Sequence, residues 1–93
     1  MKYNIINNYP NPFNPTTTIS FALQDYANIE LTFYNLKGEK VKTFANNKLT
    51  KGNHSMIWSG NDDSGQTVSS GIYLYKLNVN GKTEAMNKCV MLK

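Results

Sequence analysis

The stretch Ile72-Tyr73-Leu74-Tyr75-Lys76-Leu77-Asn78-Val79-Asn80-Gly81 decides the fold. Tyr73, Tyr75, Leu77 and Val79 fall on one face of an extended chain, and Ile72, Leu74 and Lys76 on the other. A period of two, rich in aromatic and β-branched residues, is that of a strand with one buried face. Asn80-Gly81 then supplies two residues that tolerate positive φ, the signature of a type I′ hairpin. The chain must therefore return antiparallel, and residues 83–92 read as the last strand.

Working backwards, the same alternation recurs. His54, Met56 and Trp58 alternate with Ser55, Ile57 and Ser59. Ile29, Leu31 and Phe33 alternate with Glu30, Thr32 and Tyr34. Thr17, Ile19, Phe21 and Leu23 share a face opposite Thr16, Thr18 and Ser20. Residues 40–44 read as a short strand anchored by Val41. Between these runs, residues 24–28 read as a connection and residues 35–39 as a hairpin turn with Gly38 at positive φ. Residues 46–52 read as a polar loop, and residues 59–66 as a long turn cluster. Tyr9-Pro10-Asn11-Pro12-Phe13-Asn14-Pro15 holds all three prolines, which forbid a helix and impose a rigid, extended segment with tight bends. No segment carries a 3.6 period. About seven short strands at spacings of roughly 8–15 residues predict an all-β, antiparallel, immunoglobulin-like β-sandwich.

Ninety-three residues make one domain, residues 1–93, with residues 1–8 a linker or first strand. The 40% of hydrophobic residues contain no apolar run near the ~20 that a spanning helix needs, so direct membrane insertion is not expected. The start has neither the apolar core nor the cleavage site of a signal peptide; it reads as a piece of a longer protein or as a very small whole one. Net charge is +4, carried by ten lysines and no arginine. Phosphate and base readers favour the bidentate fork of arginine, so no nucleic-acid partner is expected. Fourteen asparagines, eight threonines and six serines point to turns and polar strand faces.

Chemistry-bearing residues are sparse. His54 is the sole histidine, with no acid within three positions, and the G-x-S-x-G elbow is missing around Ser55 and Ser59. Asp62 and Asp63 are adjacent in a turn, whereas paired catalytic carboxylates flank a substrate on a rigid frame. The expectation is a non-enzyme without cofactor. Asn61-Asp62-Asp63-Ser64-Gly65 has a distant likeness to a calcium loop, but its glycine is one position early and no closing glutamate follows. A turn whose Asp and Asn side chains bond their own backbone is the preferred reading. Cys89 excludes an internal disulfide and reads as a small buried hydrophobe beside Val90, with Lys88 on the opposite face. Trp58, Tyr73 and Tyr75 could stack on sugars if exposed, but their inward spacing predicts core. Asn53-His54-Ser55 matches a glycosylation acceptor by three residues alone.

Three segments together carry a family resemblance: Asn8-Tyr9-Pro10-Asn11-Pro12-Phe13-Asn14-Pro15-Thr16-Thr17-Thr18-Ile19, the run from His54 through Trp58-Ser59-Gly60 and Gly71-Ile72-Tyr73-Leu74-Tyr75, and Lys88-Cys89-Val90-Met91-Leu92-Lys93. The chain resembles the type A C-terminal sorting domain of the type IX (Por) secretion system. It is also similar to the related immunoglobulin-like domain of flagellar hook-assembly proteins. The likeness spans residues 9–93. It implies a non-catalytic domain that follows an N-terminal cargo and is exported to the periplasm. There an outer-membrane translocon would recognise it and pass it to the cell surface or medium, where a sortase-like peptidase can remove it. Pro10, Asn11 and Pro12 match the opening motif, Gly71 and Tyr73 the glycine-tyrosine motif, and Lys88, Val90, Leu92 and Lys93 the terminal motif. Ser59 departs from the family's usual aspartate, and Cys89 from its usual apolar residue. The alternatives are a structural Ig-like spacer or hook-cap-like scaffold, and a carbohydrate-binding module.

Overall fold

Alternating side chains dictate the architecture, and the computed structural model, which describes residues 7–12 and 16–92, shows how they are combined. Seven strands form: β1 (Asn7–Tyr9), β2 (Thr17–Leu23), β3 (Ala27–Tyr34), β4 (Lys40–Leu49), β5 (Gly52–Trp58), β6 (Gly71–Val79) and β7 (Lys82–Met91). All pairings are antiparallel, in a three-stranded sheet β1-β2-β5 and a four-stranded sheet β4-β3-β6-β7. This is the expected β-sandwich. Among the described residues no helix is long and apolar enough to cross a membrane.

The inner faces are the alternating sets read from the sequence. Ile19, Phe21 and Leu23 of β2, Ile29, Leu31 and Phe33 of β3, Tyr73, Tyr75, Leu77 and Val79 of β6, and Trp58, Cys89 and Met91 form one buried cluster. Each such side chain contributes about 1.5–3 kcal/mol by leaving water. Trp58 has no exposed surface and stacks on Phe33 at 4.2 Å between ring centroids. Tyr73 meets its other side edge-on at 5.4 Å, and Tyr75 lies 5.5 Å from Phe33. These four rings, drawn from three strands in both sheets, fix how the layers face each other. On the outer face of the larger sheet the Lys76 ammonium sits 4.9 Å from the Tyr34 ring centre.

Two expectations need correction. Residues 46–52 are not a polar loop: β4 continues to Leu49, with Asn46 opposite Ile29 and Leu49 opposite Ala27. Likewise β3 begins at Ala27, inside the expected connection, because Ala27 is buried at the end of the core. Pairing with a strand already anchored by apolar residues overrides weak local preference. Asparagines then lock this end. The Asn80 side-chain oxygen accepts from the Asn28 amide at 2.9 Å, the Asn80 amide donates to the Asn28 carbonyl at 2.8 Å, and the Asn28 side-chain oxygen accepts from the Lys48 amide at 2.9 Å. Asn80 and Gly81 adopt φ of 51° and 84°, as the type I′ reading requires.

Candidate functional site

The opening motif follows β1, which pairs Asn7, Asn8 and Tyr9 with Ser20, Ile19 and Thr18. Beyond Tyr9 the chain bends through Pro10, Asn11 and Pro12, all exposed, and the peptides before both prolines are cis. Polar side chains hold the bend. The Thr17 hydroxyl, on a residue 1% exposed, donates to the Pro10 carbonyl at 2.9 Å. The Asn8 side-chain amide donates to the Thr17 oxygen at 3.1 Å, and its carbonyl oxygen accepts from the Tyr75 hydroxyl at 2.9 Å. The last bond joins β1 to β6 across the sandwich. Burial pushes the Tyr75 phenol well above its ordinary pKa, so the hydroxyl remains a donor.

The glycine-tyrosine motif opens β6. Gly71 has φ of 152°, a conformation that side chains rarely adopt, although a Cβ there would meet nothing within 4 Å. Its glycine requirement is thus conformational, not steric crowding. Tyr73 is buried, and its hydroxyl donates to the Ser69 carbonyl, tying the preceding segment to the strand. In the β6–β7 ladder Gly71 faces Met91, Ile72 faces Val90 and Tyr73 faces Cys89. The glycine-tyrosine motif and the terminal motif are therefore cross-strand neighbours.

The opening motif reaches the same place. The Asn11 side-chain oxygen accepts from the Val90 backbone amide at 2.9 Å, across 79 positions of sequence. Asn11, Gly71, Tyr73 and Val90 are thus gathered at one end of the sandwich. Lys88 projects to solvent opposite Leu74, while Leu92 is half exposed just beyond β7. Phe13, Asn14, Pro15 and Lys93 lie outside the described residues, as do residues 1–6. The sequence reading missed Asn8, Thr17 and Tyr75 as parts of this assembly. Thr17 carried a signal, being a polar residue in register with the inward-facing Ile19, Phe21 and Leu23.

The remaining candidates take structural roles. Asp62 accepts through one oxygen from the Ser64 amide (3.0 Å), the Ser64 hydroxyl (2.7 Å) and the Gln66 amide (2.9 Å). These donors, the Ser64 hydroxyl foremost, hold its carboxyl below the usual range. Asp63 accepts from the Thr43 amide at 3.2 Å, pinning the turn to β4. This is the self-bonded turn that the composition of residues 61–66 predicts. Trp58 closes it by donating its indole N–H to the Asn61 carbonyl at 2.8 Å. His54 donates its Nε2–H to the Thr50 carbonyl at 2.7 Å and packs on Phe21 at 5.8 Å. It lines an open groove of about 450 Å³ with Asn7, Ser20, Asn53 and Ser55. Cys89 has no exposed surface, and burial pushes its thiol up to about 12. Trp58, Tyr73 and Tyr75 are at most 5% exposed, so they form no sugar-stacking platform.

The profile of the FlgD Ig-like domain matches residues 7–84. No curated protein matches the chain. Among solved structures, dimeric latent PorU from Porphyromonas gingivalis superposes with a TM-score of 0.82 at 18% identity, over 94% of this chain and 9% of that one. PorZ from the same organism, described as an essential bacterial surface component of the type IX secretion system, gives 0.62 at 18% identity over 95% and 11%. FlgD from P. aeruginosa gives 0.64 at 22% identity over 97% and 67%. At these identities the likeness is one of fold, and the chain spans about a tenth of the PorU and PorZ chains.

Proposed function

The chain belongs to the FlgD Ig-like domain family, and from that premise we propose that it acts as a C-terminal sorting module. In this reading it carries an N-terminal cargo from the periplasm through the outer-membrane translocon of a type IX secretion system. A sortase-like peptidase at the cell surface is the second partner, and the cargo ends at the surface or in the medium. The module performs no catalysis.

The observation that carries the reading is the bond from Asn11 to Val90. A receptor that reads a folded signal needs determinants from distant parts of the sequence held in one rigid place, so that little ordering entropy is lost on binding. The opening, glycine-tyrosine and terminal motifs meet this need through hydrogen bonds and ladder register. The fold likeness to PorU and PorZ agrees with it.

The test is a fusion of this chain to the C-terminus of a periplasmic reporter, in a bacterium with an active type IX system. Intact fusions should reach the surface or medium. Deleting residues 88–93 should retain the reporter, but it also removes the buried Cys89 and Met91. The decisive variant is therefore Lys88→Glu with Leu92→Ser, which changes exposed positions only. Severalfold periplasmic retention of a folded variant is expected. Export at the intact level, or no export of the intact fusion, would overturn the reading. The second outcome would favour a structural Ig-like scaffold, for which the coverage of 67% of the FlgD chain is the supporting observation.

A further inference from the structure

Of the fourteen asparagines, Asn80 is the one followed by a glycine. Glycine has no side chain to shield its backbone nitrogen. That nitrogen can attack the side-chain carbonyl carbon of the asparagine before it. A bond forms between the Gly81 nitrogen and Asn80 Cγ, and the Cγ–Nδ2 bond breaks. The side-chain nitrogen leaves as ammonia and carries off the Gly81 N–H proton. The five-membered succinimide then takes up one water at either carbonyl. One opening gives aspartate. The other gives isoaspartate, in which the chain runs through Cβ and is one carbon longer. Asn80 and Gly81 are both exposed, so water reaches them.

The fold restrains this chemistry. Val79 faces Lys82, so Asn80 and Gly81 make up the whole turn, with φ of 51° and 84°. Ring closure needs the Gly81 nitrogen eclipsed with Asn80 Cβ, whereas the ψ of about +30° in a type I′ turn holds it nearly opposite. Asn28 adds a clamp: its amide donates to the Asn80 side-chain oxygen at 2.9 Å, and its carbonyl accepts from the Asn80 amide at 2.8 Å. We propose that Asn80 is a site of spontaneous deamidation gated by the β6–β7 turn, which reacts when the turn opens and lets go of Asn28. The two products differ in what they do to the fold. Aspartate tolerates positive φ and keeps an oxygen for the Asn28 amide. Isoaspartate lengthens a turn whose length sets the strand register, so the hairpin cannot reclose as before. β7 carries Cys89 and Met91 of the core, so that loss reaches beyond the turn. The inference is independent of the sorting reading.

The experiment ages the full chain at neutral pH, with and without unfolding urea. Peptide mapping by mass spectrometry follows each asparagine, and isoaspartyl methyltransferase labelling separates the two products. A peptide of residues 78–83 gives urea's own effect on the chemistry. Asn80 should convert before the other asparagines. Unfolding should speed it roughly ten- to hundredfold beyond the peptide control, the size expected from freeing two hydrogen bonds. Amide hydrogen exchange then compares the purified isoaspartate form with fresh native chain and Asn80→Asp. The Asn28 and Lys82 amides should exchange faster in the isoaspartate form and at the native rate in Asn80→Asp. Earlier conversion at another asparagine, equal rates in folded and unfolded chain, or native exchange at Asn28 and Lys82 in the isoaspartate form would each overturn the proposal.

Discussion

Alkaline pH should destabilise this domain, and the first buried group to act is the Cys89 thiol, with the Tyr75 phenol following at higher pH. The thiol faces the core opposite Tyr73, has no exposed surface, and holds its proton up to about 12 because a thiolate there would lie in apolar surroundings. In the unfolded chain the same thiol ionises near its ordinary value of 9.0. Between these limits the unfolded state binds fewer protons than the folded state. Cys89's contribution is therefore fully present below about pH 9 and is lost as pH rises towards 12. One pKa unit corresponds to about 1.4 kcal/mol, so at pH 10 the loss is about 1.4 kcal/mol, and by pH 12 it approaches about 4 kcal/mol. The assay is urea unfolding at pH 7 to 10.5 in the presence of reductant, for the native chain and Cys89→Ala. The alanine costs about 1 kcal/mol of packing at every pH and removes the titration. The native chain's advantage should fall by about 1.4 kcal/mol between pH 8 and pH 10, from about 1 kcal/mol in its favour to slightly in favour of the alanine variant. Parallel curves across that window would refute the argument and place the thiol in contact with water or a cation.

Trp58→Ala should cost about 3–5 kcal/mol, because it empties the stack against Phe33 and Tyr73 and also removes the cap on the Asn61 carbonyl; a loss under 1 kcal/mol by urea unfolding would contradict the assigned packing. Gly71→Ala should cost about 1–2 kcal/mol through its φ of 152° alone. An alanine tolerated there without loss of thermal stability would show that the strand opening is not conformationally restricted.

The parts of the fold legible in the sequence were those in which a residue's own neighbours carry the information. Thr17, Ile19, Phe21 and Leu23 reveal their shared face by spacing, and Asn80-Gly81 reveals its turn by chemistry. The end of β4 was not legible. Asn46, Asn47 and Lys48 have low strand preference, and their conformation comes from β3 alongside, with Lys48 held at φ of 62° by the Asn28 side chain. The motifs at the candidate site could be found one by one, but not their assembly. The bond from Asn11 ends on a backbone amide, which every residue but proline possesses, so no residue type at position 90 could have announced it. Asn8 is hidden for a related reason: strand spacing places the ring of its partner Tyr75 in the core but says nothing of where the hydroxyl reaches.

The placement of β6 and β7 also governs what happens while the chain is being made. By the time Trp58 leaves the ribosome, all of β1 to β5 has been synthesised. The rings that cover Trp58 and Phe33, and the Cys89 and Met91 side chains that close the core, come 15 to 33 residues later. At typical rates of about 5–20 residues per second, the wait for Met91 lasts roughly 2–7 s. Throughout it, the inner faces of β2, β3 and β5 lack the β6 and β7 side chains that cover them in the folded domain. The core is therefore completed only when β7 (Lys82–Met91) has been made, and folding of this domain is set by its last strand.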